Sequence, residues 1–273
     1  MNRTGTERPR VASAGAPALA VVVVLLGLAV LAWVVTGRLA EPHMRLGLLT
    51  GANGMADGMA GGGRTGPSPV ALGLFLVTWT VMMAAMMFPS VLPVVLACDR
   101  WVRRTGRSRV VTALFVGGYL LVWAAAGVAA YAVVVHLVPL LPSGATGVRL
   151  GGAVLVLVGV YQFTPLKRVC LRQCRSPLAF VAAHAERLRA GPVAAARVGA
   201  AHGAYCLGCC WALMVVLLLL GMMSLTWMAL VAAVILAEKV FPGGGAVGRA
   251  VGALLMVTGA VLLVGGPMLP VLA

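Results

Sequence analysis

A chain of 273 residues that is 62% hydrophobic and only 10% charged cannot cover its apolar side chains as a soluble domain. Its formal net charge of +15 would suit nucleic acid in a soluble protein. Here the basic residues fall in short runs between long apolar stretches, which excludes DNA or RNA as the partner and names the lipid bilayer instead.

Uncharged windows of about 18 residues recur, each long enough to cross a hydrocarbon layer of roughly 30 Å as a helix. They predict about seven transmembrane helices, over residues 18–36, 70–97, 110–136, 150–166, 203–222, 224–240 and 247–267, and so an all-α, polytopic membrane helix bundle. The first stretch is longer than the usual 7 to 15 residue apolar core of a signal peptide and reads as an anchor. The fifth and sixth are joined by almost nothing, which implies a tight turn near Gly221 and Ser224. With the N-terminus in and the C-terminus out, every one of the 21 basic residues except Arg38, Arg45, Arg64 and Arg149 lies on the inner side, the bias expected of cytoplasmic segments. The chain reads as multi-pass in the cell inner (plasma) membrane. It divides into an anchor helix and Gly/Met-rich outer loop (1–69), a central membrane domain (70–241) and a C-terminal transmembrane helix (242–273).

This orientation brings all six cysteines to the cytoplasmic side, where disulfides are rare and metal or redox chemistry is the better reading of clustered thiols. Five of the six lie between residues 170 and 210. At about 100° per residue, His202, Cys206, Cys209 and Cys210 share a helical arc of about 100°, with Met214 just beyond it and one turn deeper. CLRQC places Cys170 and Cys174 at i and i+4, on one face of a short inner helix bracketed by Pro165 and Pro177. The expected metal ligands are therefore Cys206, Cys209, Cys210, His202, Cys170 and Cys174. Packing gives no reason for a histidine and neighbouring thiols on one arc, whereas Cys98, alone in the second span, reads as a packed apolar residue. A redox CxxC is the competing reading of CLGC, though that motif ordinarily opens a helix on a βαβ scaffold.

The segments WTVMMAAMMFPS (79–90), GVYQFTPLKRVCLRQCRSPL (159–178), HGAYCLGCCWALM (202–214), GMMSLTWM (221–228) and EK at 238–239 closely resemble the DUF2182 family of predicted metal-binding integral membrane proteins. The resemblance covers about residues 70–241 and implies membrane topology and metal binding. It also raises Glu238 as a direct ligand or as a residue that orients one.

Thioethers and thiolates favour Cu(I), while Zn(II) accepts Cys and His but has little use for Met. Met83, Met86 and Met87 in the second span read first as core packing, and with Met222 and Met223 at the outer end of the fifth they are the lesser candidates for the soft-donor set. The outer loop, with His43, Met44, Met55, Asp57 and Met59, reads as a Gly-rich linker. His136 is expected at the interface, and His184 as a cap or a solvent-facing residue. No paired carboxylates, Ser/His/Asp set, phosphate loop or dinucleotide fingerprint appears, so an enzyme is not expected. The sequence thus predicts a membrane protein that binds a soft metal ion, Cu(I) ahead of Zn, at its cytoplasmic side for metal handling, delivery or transport, with a membrane protein or metallochaperone as the partner that delivery would need. A Zn-stabilised assembly subunit and a membrane thiol oxidoreductase are the alternatives.

Overall fold

A computed structural model of the chain describes residues 16–39, 69–142, 144–221 and 224–265. The first helix, α1 (Ala16–Leu39), is uncharged up to Arg38 in its last turn. After it comes α2 (Pro69–Arg104), 36 residues that run through Pro89 and Pro93 without breaking. Such prolines are tolerated where neighbouring groups satisfy the freed backbone, and here the Trp33 indole N–H of α1 donates at 3.1 Å to the Ala85 carbonyl, which Pro89 leaves without its helical donor. The next helix, α3 (Val110–Ala132), loosens into a wide turn over Val133–Leu137 and a tight one over Val138–Leu140. His136 lies exposed in the wide turn.

Beyond α4 (Gly144–Tyr161) the apolar pattern gives way to three short helices, α5 (Pro165–Arg175), α6 (Pro177–Ala183) and α7 (Ala185–Arg189). Proline opens α5 and α6, where a missing N–H costs nothing, and Thr164 caps α5 by accepting from the Lys167 N–H at 3.3 Å. His184 separates α6 from α7, with Nδ1 2.9 Å from the Phe180 carbonyl. The long helix α8 (Pro192–Leu220) then starts after Gly191 and stops at Gly221, both at positive φ. It begins eleven residues before the expected 203 because Pro192 to Ala201 is alanine-rich with one charge, Arg197, and continues the same helix. Ser224 N–H donates to the Gly221 carbonyl at 3.2 Å, closing the expected turn into α9 (Leu225–Val240). The last described helix is α10 (Gly244–Gly265).

Among the described residues, six helices are long and apolar enough to cross a membrane: α1, α2, α3 with its terminal turns, α4, α8 and α10. The seventh expected span, α9, has 16 residues, about 24 Å at 1.5 Å per residue and shorter than a hydrocarbon layer. Ser224 and the Glu238, Lys239 and Pro242 group set its two ends.

Close helix contacts are made through glycine. A Cβ on Gly118 or Gly199 would overlap the backbone of Ala196 or Phe115, so these glycines let α3 and α8 meet backbone to backbone. The same device joins α4 to α10, where a Cβ on Gly152 would lie 2.8 Å from the Gly259 carbonyl oxygen and one on Gly159 2.7 Å from that of Gly252. Trp33 in α1 donates to the Ala85 carbonyl at 3.1 Å, and Trp79 in α2 to the Trp123 carbonyl at 2.9 Å. Outward faces carry Leu19, Val24, Leu74, Val77, Leu121, Leu157 and Leu254, all exposed, a surface that suits lipid.

Candidate metal centre

Midway along α8, one face turns His202, Cys206, Cys209 and Cys210 into the bundle, each 2% exposed or less. Four other helices close over that face. From α5, Cys170 and Cys174 arrive on a common buried side; from α3 comes Tyr119, from α2 Met87 and Ser90, and from α9 Lys239.

Four thiols gather. Cys174 Sγ lies 3.9 Å from Cys209 Sγ, and the Cys209 and Cys210 thiols both donate to the Cys206 carbonyl, at 3.1 and 3.0 Å. Cys170 sits at the margin, over Gly208: a Cβ there would lie 2.7 Å from its sulfur. The glycine of CLGC thus makes room for a thiol of the neighbouring helix. Hydrogen bonding to Cys206 and Cys209, with burial added, holds the Cys174 thiol well above its ordinary pKa of 9.0. Burial, then the charge of Cys209, pushes Cys170 up as well.

Cys206 is the hub. Its sulfur lies 3.1 Å from the Tyr119 hydroxyl and 3.0 Å from Lys239 Nζ. Lys239 is itself buried and also reaches Ser90 Oγ at 3.2 Å and Met87 Sδ at 3.9 Å. Met87 is therefore brought to the thiol centre through the ammonium. Met83 and Met86 are buried in the same helix, and Met214 in α8; Met222 and Met223, like the loop methionines and His43, lie outside the described residues.

His202 sits one turn before Cys206 in an aromatic box, with ring centroids 6.1 Å from Phe115, 6.1 Å from Tyr119 and 4.9 Å from Phe180. Its Nδ1 is buried without a hydrogen-bond partner among the described residues, a costly state for an imidazole nitrogen and a donor available to a ligand. Glu238 is held elsewhere: its carboxylate takes the Lys167 ammonium at 2.7 and 2.8 Å, and Gln162 bonds the same ammonium. Cys98 is fully buried in α2 beside Asp99, which pairs with Arg103 at 3.0 Å.

Lys239, Tyr119 and Ser90 were not visible as site residues in the sequence pattern, because each arrives from a separate helix. One signal was present: a lysine at the end of an otherwise apolar segment is expensive and tends to be functional. Among the described residues, no three His, Cys, Asp or Glu side chains are already arranged to hold a metal ion. The Cys209 and Cys210 thiols fold back onto the α8 backbone instead.

Helices of membrane-crossing length that turn cysteines inward and leucines and valines outward define a class: a helical protein of membrane type with a buried thiol centre. Comparison with protein families narrows this. The chain belongs to the PpoB2 family, described as a copper chaperone, whose model matches residues 76–262, a span that includes every thiol and Lys239. No curated protein and no solved structure matches the chain.

Proposed function

We propose that the protein is an integral membrane carrier of Cu(I), which it takes as cargo on Cys174, Cys206, Cys209 and Cys210 and gives to a partner protein. The observation that carries this reading is the convergence of four thiols from two helices, beside a buried imidazole with a free nitrogen. Cys170 and His202 complete the donor set, and Met87 lies behind it. Thiolates and thioethers are the donors that favour Cu(I), and the copper chaperone family agrees with that chemistry. Binding exchanges the weak S–H bonds to the Cys206 carbonyl for sulfur–metal bonds, so Cys209 and Cys210 rotate off the helix backbone and release their protons.

The proposed topology keeps the N-terminus inside and the C-terminus outside the inner (plasma) membrane. In it α9 is a short seventh crossing and the thiols face the cytoplasmic side. The contact of Lys239 with Cys206 supports antiparallel travel of α9 along α8. A second reading is structural zinc, since four cysteines meet the usual zinc number. Elemental analysis of protein purified anaerobically in detergent decides between them. Copper retained against a weak chelator and not displaced by zinc is expected; near-stoichiometric zinc without copper would overturn the copper reading.

A further inference from the structure

Lys239 stands apart from the ligand chemistry. Its ammonium is buried, and a buried charge persists only when paired and hydrogen-bonded. The groups it meets are Cys206 Sγ, Ser90 Oγ and Met87 Sδ, and among these only the cysteine sulfur can carry a compensating negative charge. The carboxylate next to it in sequence, Glu238, is occupied by Lys167 on the other side of α9. The thiol centre thus contains one fixed positive charge before any metal arrives.

We infer that Lys239 is the specificity-determining residue of the centre, a resident cation that makes it prefer a singly charged soft metal ion over a doubly charged one. The inference rests on the metal-binding reading above and adds the selection rule to it. Repulsion between the ammonium and an entering ion scales with the ion's charge. Whatever factor the ammonium removes from the affinity for Cu(I), it removes about the square of that factor for Zn(II). The cost of stripping protons from the same thiols enters both affinities and cancels in their ratio. Softness alone would not separate the two ions in this way, because thiolates bind both. The charge supplies the discrimination that a bare four-cysteine site lacks.

Two variants test this in the full-length protein in detergent, with Cu(I) and Zn(II) affinities measured by chelator competition under anaerobic conditions. Lys239→Leu removes the charge without adding a donor. Ser90→Asp keeps the lysine but places a carboxylate where Oγ now lies 3.2 Å from Nζ, neutralising it locally. Each should raise the Zn(II) affinity relative to Cu(I) by about tenfold or more, whereas Lys239→Arg should keep the wild-type ratio. A merely structural lysine would weaken both metals together and leave the ratio alone. An unchanged ratio in Ser90→Asp and Lys239→Leu, with the wild type binding Cu(I), overturns the inference and spares the function. A wild type that binds neither metal overturns the function itself.

Discussion

Cys209 and Cys210 return their protons to one backbone carbonyl, that of Cys206, so a hydroxyl in either place would repeat the hydrogen bond and fill similar volume. Cys209→Ser and Cys210→Ser should therefore each lose most bound metal while expression and thermal stability stay close to wild type, because an alcohol is a poor donor to a soft ion. Cys98→Ser, in a different part of the bundle, should keep its metal. Equal metal content in all three would reduce the cluster to packing. Cys174 gives a pH test. Its thiol is held above 9.0 in the folded chain, so the stability this adds is present below about pH 9 and is lost as pH rises through the folded-state value. In the wild-type chain Cys174, followed by peptide mapping of the alkylated protein, should react slowly near neutral pH and speed up only on the alkaline side; a rate matching that of the denatured chain at pH 7 would contradict this. At this scale the stripe on α8 was legible from spacing alone, since i, i+3 and i+4 share a helical face. Lys239 and Tyr119 were not, because they lie 33 and 87 residues from Cys206 and meet it only through helix packing.

The helix that matters most for access is α5, which lays Cys170 and Cys174 over α8 and is pinned at both ends. At its start Lys167 is buried against Glu238 of α9. At its end Arg175 donates to the carbonyls of Glu238, Phe241 and Pro242, at 2.8, 2.8 and 2.9 Å, closing the C-terminus of α9. Removing one member of a buried pair leaves an uncompensated charge, at a cost of about 3–5 kcal/mol. Lys167→Met should lower the melting temperature sharply and expose Cys170 to a thiol reagent, and the double variant Lys167→Met/Glu238→Gln should recover much of the loss. No recovery in the double variant would mean that the pair does not act as a unit. The two prolines bracketing α5 marked its limits in the sequence, and those limits hold to the residue at the start. Its anchoring on α9 was hidden, because a Glu–Lys pair 71 residues apart carries no local periodicity.

Across the whole molecule, hydrophobic runs made the helices readable, and α9 falls below spanning length because the turn from Gly221 to Ser224 and the Phe241–Pro242 stop confine it to 16 residues. Which helices touch was not readable, since glycines spaced seven apart in α4 and α10 look like any others until the backbones are seen to meet. The proposed orientation is open to direct test. In a thiol-free background, cysteines introduced at Gly62 and Ala190 should differ, with a membrane-impermeant reagent labelling only the first in intact cells; the reverse pattern would move the centre to the other compartment. Burial of the centre has a further consequence, in time rather than energy. Cys206, Cys209 and Cys210 are no more than 1% exposed, so in the proposed carrier an acceptor protein would have no direct access to the cargo. Transfer must wait for the closed form to open, and its observed rate should rise with acceptor concentration only to a plateau equal to the opening rate. Stopped-flow transfer to a chelating acceptor should show that plateau, and loosening α5 with Lys167→Met should lift it.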